Sequence, residues 1–166
     1  MSGTPGKLLG VFIAQLDDAY QIAVWRGIDS RAREKGMGVV SFVGHRVHSP
    51  LAAEEAANIA YRLADPGAVD GLIVVTSAIA TFLSATETGG LFAGWDGGPR
   101  VSVGLEVPGV ASVVADGTRA VTQVVRHLVR DHSLRRLALV GGPGGHPEAE
   151  QGACVPRRPG RRKRGV

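Results

Sequence analysis

The stretch LLGVFIAQLDDAYQIAVWRGIDSRAREKG, residues 8–36, decides the fold class of this chain. It opens with an apolar run at 8–14, which is typical of a strand buried on both faces of a parallel sheet. After a polar turn, apolar residues recur at helical spacing and predict an amphipathic helix that ends at Gly36. A buried strand, a polar turn and an amphipathic helix form the first βα unit of an open α/β sheet. Because ligands bind at the carboxyl ends of the strands in such sheets, residues 15–21 are the first candidate site.

The remainder of the chain continues this alternation of apolar runs and helical patterns. Further strands are predicted at 37–43, 69–75, 100–105, 112–115 and 135–141. Helices are predicted at 51–64, 78–86 and 117–130, with a glycine-rich loop at 89–99. Parallel strands need crossover connections, which are right-handed when a helix joins them. We therefore predict an α/β fold with three α/β/α layers around a parallel sheet.

The helical patterns also predict which side chains share a face. In the helix at 51–64, one face comprises Ala52, Ala56, Ile59, Ala60 and Leu63. In the helix at 117–130, the residues predicted to face inward are Ala120, Val121, Val124, Val125, Leu128 and Val129. Trp25 belongs to the apolar stripe of the first helix, so we predict that it lies in the core.

Length and composition indicate a single globular domain. The 166 residues are 44% hydrophobic and 20% charged, which is typical of a folded soluble chain. No apolar run approaches the roughly 20 residues that a membrane-spanning helix needs. Residues 1–7 are too short and polar for a signal peptide, so we expect them to be disordered. With one cysteine, Cys154, the composition predicts a cytoplasmic protein that does not bind membranes.

The net charge of +4 is concentrated at the end of the chain. Six of the 19 basic residues fall in the last ten positions, which leaves 13 basic against 15 acidic residues elsewhere. The segment 151–166 combines arginine, proline and glycine without hydrophobic period, so we expect a disordered basic tail. Such a tail leaves open nucleic-acid binding through Arg157 to Arg164.

The sequence GGPGGHP at 141–147 is a candidate phosphate-binding loop, because it follows a predicted strand. It matches neither G-x-G-x-x-G, since Pro147 takes the place of the third glycine, nor G-x-x-x-x-G-K-[ST]. No helix that could hold a phosphate at its N-terminus follows it clearly. A flexible loop is the favoured interpretation, and a nucleotide site remains the alternative.

No metal, cofactor or catalytic group is predicted. His45 and His48 lie in one loop, but metal sites need three or four ligands and no neighbouring cluster supplies the rest. Ser77 sits in V-T-S-A-I rather than in a G-x-S-x-G elbow. Asp17 and Asp18 are adjacent at the start of a helix, where capping is favoured over paired acid–base chemistry.

Four residues are candidates for ligand binding because they follow predicted strands. Tyr20 and Gln21 lie in the first helical turn, where a ring and an amide could stack on and hydrogen-bond a small polar ligand. A partly exposed structural tyrosine is the alternative. His45 follows a strand end and could face a cleft. Asp116 also follows a strand, and a helix cap is its simplest role.

Five segments of the chain resemble the periplasmic-binding-protein-like effector domain of the LacI/GalR transcriptional regulators. They are LGVFIAQLDDAY with RGI at 9–28, VDGLIVV at 69–75, VSVG at 101–104, SVVAD at 112–116 and HLVRDHSLRRLALVGGP at 127–143. They keep the family's order and spacing and cover most of 8–147. Residues 20–27 and 145–150 are similar to a subgroup in which this domain is the sensory input of bacterial signalling proteins. The outputs in that subgroup are of kinase, phosphatase or cyclase type.

The resemblance implies a two-lobed clamp of type I that closes on a sugar-like or other small metabolite. Residues 8–115 would form the first lobe and 116–150 the beginning of the second. Asp18, Tyr20, Ser77 and Asp116 match family positions that face the ligand. The complete set of predicted ligand-binding residues is Asp17, Asp18, Tyr20, Gln21, His45, Ser77 and Asp116. The resemblance also implies a homodimer formed through the first lobe.

Two departures from the family limit what the resemblance implies. The regulators carry a helix-turn-helix ahead of this domain, whereas the first strand here begins at Leu8, so we expect no sequence-specific DNA contact from this chain. Beyond Glu150 the family continues through the rest of the second lobe, whereas here the basic tail follows. We expect that the tail reflects truncation or an out-of-frame reading. The alternative to a sensor is a flavodoxin-like nucleotide-binding enzyme that uses the loop at 141–147.

Overall fold

A computed structural model of the protein describes residues 6–95 and 98–138. The chain divides into two compact units, with the boundary between Ala115 and Asp116. In the first unit the strands are β1 (Leu8–Ile13), β2 (Gly38–Val43), β3 (Gly71–Val74), β4 (Arg100–Val103) and β5 (Ala111–Val113). Its helices are α1 (Ala19–Glu34), α2 (Ala52–Ala57), α3 (Ile59–Arg62), α4 (Thr76–Ile79) and α5 (Ala85–Thr88), with a 3₁₀ turn at Gly89–Phe92. In the second unit α6 spans Gly117–Arg130.

The strands form one sheet in the order β2-β1-β3-β4-β5, and all neighbouring pairs are parallel. β1 is an interior strand, paired with β2 on one side and β3 on the other, and side chains on both of its faces are buried. Val11 and Ile13 on one face and Phe12 on the other are buried. This explains why the β1 sequence is continuously apolar rather than alternating. The predicted α/β fold with a parallel sheet is confirmed.

The first βα unit forms as its sequence predicts. Asp18 is the N-cap of α1, and its Oδ1 accepts a hydrogen bond from the Gln21 amide at 2.9 Å. The helix ends at Glu34, and Gly36 follows with a φ of +68°, a left-handed conformation that suits glycine. Trp25 is half-buried rather than fully in the core, and its Nε1 donates to Ser41 Oγ on β2 at 2.8 Å.

The opposite face of the sheet carries an aromatic core. The Phe12 ring lies 5.7 Å from Phe42, 4.9 Å from Tyr61 and 6.4 Å from Trp95, measured between centroids. Trp95 is only 6% exposed, although its glycine-rich surroundings predicted a loop. Since residues alternate between faces, α1 covers the side of Val11 and Ser41, and α3 covers the side of Phe12. Helices on both faces make this unit a three-layer α/β/α structure.

The prediction of a single helix at 51–64 is wrong, because the structure has two short helices, α2 and α3, that meet at Asn58. The Asn58 side chain donates from Nδ2 to the carbonyls of Gly44 at 2.6 Å and Glu54 at 3.0 Å. Two residues of the predicted apolar face are also exposed to solvent, Ile59 at 63% and Leu63 at 72%. Tyr61 points to the core instead, so its aromatic contacts set the rotation of α3.

Three other element predictions need correction. The helix predicted at 78–86 consists of α4 and α5, and α5 starts with a capping box between Ser84 and Glu87. No residue of α6 is buried, so its apolar side chains do not face inward in the described structure. Residues 135–138 do not form the predicted sixth strand, and the remainder of 135–141 lies outside the described residues. A strand needs a hydrogen-bonded neighbour, and the described part of the second unit has no other strand.

The predicted disordered segments at 1–7 and 151–166 lie almost entirely outside the described residues, as does the loop at 141–147. Among the helices that the structure describes, none has both the length and the apolar character to cross a membrane.

Candidate functional site

The carboxyl ends of the strands in the first unit bring several loops to one edge of the sheet. The backbone ties these loops together. The His45 amide, after β2, donates to the carbonyl of Ala14, after β1, at 3.0 Å. Further along the same loop, the Val47 amide donates to the carbonyl of Ile79, at the end of α4, at 3.0 Å. The segments that follow β1, β2 and β3 therefore form one connected rim.

Tyr20 and Ser77 meet at this rim. The Tyr20 hydroxyl lies 3.2 Å from Ser77 Oγ, within hydrogen-bond distance, and it links α1 to the segment that follows β3. The Tyr20 side chain is nevertheless 51% exposed. A half-exposed ring that is held at its hydroxyl presents a fixed apolar face beside polar atoms. Such a combination suits a small ligand with both apolar faces and hydroxyl groups.

The Gln21 side chain stabilises the turn between β1 and α1. Its side chain is only 6% exposed, and its Oε1 accepts hydrogen bonds from the Ala14 and Gln15 amides, both at 3.0 Å. These two amides follow the last residue of β1, where the sheet no longer pairs them. The carbonyl oxygen of Gln21 therefore serves the backbone of the turn, and Asp18 caps the helix from the same turn. Asp17 directly precedes Asp18 and is exposed.

Gly104 fixes the position of Ser77 from the β4 side. Its φ is +97°, and a Cβ placed on it would lie 2.2 Å from Ser77 Oγ and 2.4 Å from Ser77 Cβ. Its amide donates to the Val113 carbonyl at 2.8 Å, which keeps this backbone in place after β4. Only glycine satisfies both the left-handed backbone and the close approach.

A buried hydroxyl chain joins the ends of β3 and β4. Ser102 Oγ donates to the Leu105 carbonyl at 2.7 Å, and the Thr76 hydroxyl lies 2.7 Å from Ser102 Oγ. The Thr76 hydroxyl also donates to the Val74 carbonyl at 3.2 Å, and either hydroxyl could be the donor in the contact between Thr76 and Ser102. Thr76 and Ser102 are both fully buried. These hydrogen bonds satisfy hydroxyl groups that would otherwise be costly to bury. They also hold Ser77, the residue after Thr76, in place.

The loop after β2 carries charge and backbone strain. His45 and His48 have φ values of +59° and +55°. The Tyr61 hydroxyl, whose pKa burial raises, donates to the His45 carbonyl at 2.7 Å. Arg46 Nε donates to Glu54 Oε2 at 2.8 Å, and the guanidinium lies 5.2 Å from the Phe82 ring centre. Hydrogen bonding from Arg46 lowers the pKa of Glu54 to about 2, with a smaller contribution from a hydrogen bond with Ser49.

The structure places the predicted ligand residues in three ways. Tyr20 and Ser77 are in contact, and Asp17, Asp18 and Gln21 share the turn beside them. His45 joins the same rim through its main chain. Asp116 belongs to the second unit, where its Oδ1 caps α6 by accepting from the Arg119 amide at 2.8 Å.

Sequence reasoning missed several residues that build the rim. These are Tyr61, Thr76, Ser102 and Gly104. For Gly104 the signal was its position directly after a strand, within the VSVG segment. For the other three, only their hydrogen-bond partners show that they are structural.

A cavity lies elsewhere, on the aromatic face of the sheet. It measures about 680 Å³ and is lined by Phe12, Tyr61 and Trp95, with Glu55 and Arg62 among its polar residues. None of the predicted ligand residues lines it. Among the described residues, no group of three or more histidine, cysteine or acidic side chains is arranged to hold a metal ion.

Neither a scan of protein-family models nor a search of curated proteins gives a match to this chain. Solved structures do match. The Lac repressor bound to ONPG in its repressed state is 22% identical with a TM-score of 0.70, and 90% of this chain covers 43% of it. The Escherichia coli repressor ascG is 20% identical with a TM-score of 0.60, with 88% of this chain covering 50% of it. The regulator CcpA of Lactococcus lactis is 19% identical with a TM-score of 0.63, again with 88% and 50% covered.

The chain has the fold of these transcriptional regulators. This confirms the fold that the resemblance to the LacI/GalR effector domain implied. The chain spans about half the length or less of the regulators it matches.

Proposed function

We propose that this chain is the small-molecule-sensing part of a LacI/GalR-type transcriptional regulator or of a bacterial signalling protein with the same kind of sensor. The observation that carries the proposal is the contact between Tyr20 and Ser77, which joins the carboxyl ends of β1 and β3 in a repressor-like fold. Ligands bind at this end of the strands in open α/β sheets. The role is binding and signalling rather than catalysis.

The ligand in this proposal is a sugar-like metabolite. A sugar offers apolar C–H faces to the half-exposed ring of Tyr20 and hydroxyl groups to Ser77 and to the carboxylates of Asp17 and Asp18. Gln21 contributes by holding the turn, since its carbonyl oxygen is already bonded to the backbone. His45 completes the proposed contacts in the first unit, and a role for Asp116, which lies in the second unit, remains what the family resemblance implies.

The setting of this sensor is the cytoplasm, and we propose that it works as a homodimer through the first unit. One of the matching structures is a Lac repressor dimer. The edge strand β2 and the two short helices carry exposed apolar residues that a partner would cover, namely Val40, Leu51, Ile59 and Leu63.

Thermal unfolding of the full chain, measured by circular dichroism, tests the ligand site. The probes are galactose, glucose, ribose and ONPG, each at several concentrations up to 10 mM. A ligand at 100 times its dissociation constant stabilises a protein by about 2.7 kcal/mol, so a binding sugar raises the midpoint by several degrees. We expect the Tyr20→Ala variant to lose this shift and to retain its helical signal. Tyr20→Phe, the matched control, keeps the ring and retains most of the shift.

Two outcomes contradict the proposal. A shift that persists unchanged in Tyr20→Ala places the ligand elsewhere. A wild-type chain that no sugar stabilises, but that ATP or FMN does, favours the nucleotide-binding alternative instead.

A further inference from the structure

The cavity on the aromatic face of the first unit has no part in the proposed sugar site. Its volume of about 680 Å³ falls within the range of pockets that hold small molecules. Its lining combines three aromatic rings, those of Phe12, Tyr61 and Trp95, with the charged side chains of Glu55 and Arg62. All of these residues belong to one compact unit, so the cavity does not depend on the second unit.

The indole of Trp95 carries a hydrogen-bond donor that has no acceptor within the described residues. The Trp95 residue is only 6% exposed. Its Nε1 atom is still accessible, because the described residues contain no fully buried side-chain nitrogen or oxygen without a partner. Trp95 borders this cavity and a smaller one beside it, so free space adjoins the indole. Since the N–H of a buried tryptophan usually has a partner, this one indicates that a ligand supplies the acceptor.

The polar groups of the cavity lie at two depths. Phe12 and Trp95 are buried and line its inner part, whereas Glu55 and Arg62 are exposed and lie at its mouth. Neither of these charged residues forms an ion pair within the described residues. The Tyr61 hydroxyl already donates to two backbone carbonyls, so Tyr61 offers its ring. A ligand therefore meets aromatic rings and one N–H donor inside, and one negative and one positive group at the entrance.

We propose that this cavity binds an aromatic zwitterion with a hydrogen-bond acceptor on its ring, the chemistry of L-tyrosine. The ring packs among the aromatic side chains, and its hydroxyl oxygen accepts from Trp95 Nε1. The carboxylate pairs with Arg62 and the ammonium group with Glu55. This site does not use Tyr20 or Ser77, so it stands or falls independently of the proposed sugar site.

Two glycines leave room for the ligand. Gly90 and Gly94 line the cavity, and a Cβ placed on either would meet nothing within 4 Å. Gly94 has a φ of +83°, so a side chain would strain its backbone, whereas Gly90 has no such restriction. Gly90→Leu therefore adds a side chain at the cavity without a clash at its Cβ. Gly89→Leu is the matched control, because a Cβ there also meets nothing and Gly89 does not line the cavity.

Titration calorimetry on the full chain tests the proposal with L-tyrosine and with two analogues that each lack one group. We expect one saturable site for L-tyrosine. Trp95→Phe keeps an aromatic ring and removes the N–H, so it should weaken L-tyrosine binding about 2–10-fold. It should leave the affinity for L-phenylalanine unchanged, because that ligand has no ring hydroxyl. Arg62→Gln should weaken L-tyrosine binding about 2–5-fold and leave tyramine, which lacks the carboxylate, unchanged.

Trp25→Phe is the control for the indole, because it removes the other tryptophan, whose Nε1 is bonded to Ser41. It should bind L-tyrosine as the parent does, and so should Gly89→Leu, whereas Gly90→Leu should lose at least tenfold. Circular dichroism checks that each variant keeps its fold. Absence of L-tyrosine binding overturns the proposal. Equal weakening of L-tyrosine and L-phenylalanine by Trp95→Phe also overturns it, because the indole would then act through packing alone.

Discussion

Replacing Gly104 by alanine tests how the rim is built. Two costs add at this position. A residue with a side chain loses roughly 1–2 kcal/mol in a left-handed conformation, and φ here is +97°. The new Cβ would also lie 2.2 Å from Ser77 Oγ and 2.4 Å from Ser77 Cβ, distances that force the two segments apart. Overpacking of this kind typically costs about 1–3 kcal/mol. We therefore expect Gly104→Ala to lower the free energy of unfolding by about 2–5 kcal/mol.

Gly109→Ala is the matched control, because φ is +74° there and a Cβ would meet nothing within 4 Å. It should cost only the backbone term of roughly 1–2 kcal/mol. Urea unfolding followed by circular dichroism gives both values. Adding Ser77→Gly to Gly104→Ala removes the clash and should recover about 1–3 kcal/mol, which a double-mutant cycle detects as coupling.

Equal destabilisation by Gly104→Ala and Gly109→Ala would refute the reasoning, because it would mean that the contact with Ser77 contributes nothing. Absence of coupling with Ser77→Gly would lead to the same conclusion. If the contact is as described, Gly104→Ala also displaces Ser77 from Tyr20. Sugar-induced stabilisation should then fall even where the variant stays folded.

Two further predictions concern the turn after β1 and the loop after β2. Gln21→Leu leaves two backbone amides without their acceptor, so it should lower the free energy of unfolding by about 1–3 kcal/mol per amide left buried. The control, Asp17→Ala at an exposed position, should change it by under about 0.5 kcal/mol in the same urea assay. The pKa of Glu54 is lowered to about 2 by Arg46, so its contribution to stability is present above its unfolded pKa near 4.5 and is lost as the pH falls towards 2. Unfolding midpoints measured from pH 5 to 2 should therefore decline less in Glu54→Gln, and parallel profiles would contradict the pairing.

The parts of the fold that the sequence predicts are those with strong local patterns. The strand at 8–14 and the helix that follows were identified because a buried parallel strand is continuously apolar and an amphipathic helix has its own period. The Asp18 cap follows from the same local chemistry. The prediction of a single helix at 51–64 was wrong because its outcome depends on tertiary contacts. Its break depends on hydrogen bonds from Asn58 to carbonyls in a different loop, and no local pattern encodes them.

For the candidate site, the sequence predicts the location of the residues but not the role of each one. The sequence located the rim, because polar residues after parallel strands meet at one edge of a sheet. It could not separate ligand contacts from structural ones. Gln21 and Tyr20 are neighbours in the same helical turn, yet one is buried against the backbone and the other is half-exposed.

The sequence by itself determined the fold class and the first βα unit, because these depend on periodicity and on local capping. Only the tertiary structure decided that Gly104 abuts Ser77, that Tyr20 reaches Ser77, and that Trp95 packs against Phe12. All three contacts join residues far apart in the chain. Distances of this kind depend on packing and backbone angles, which residue patterns do not specify.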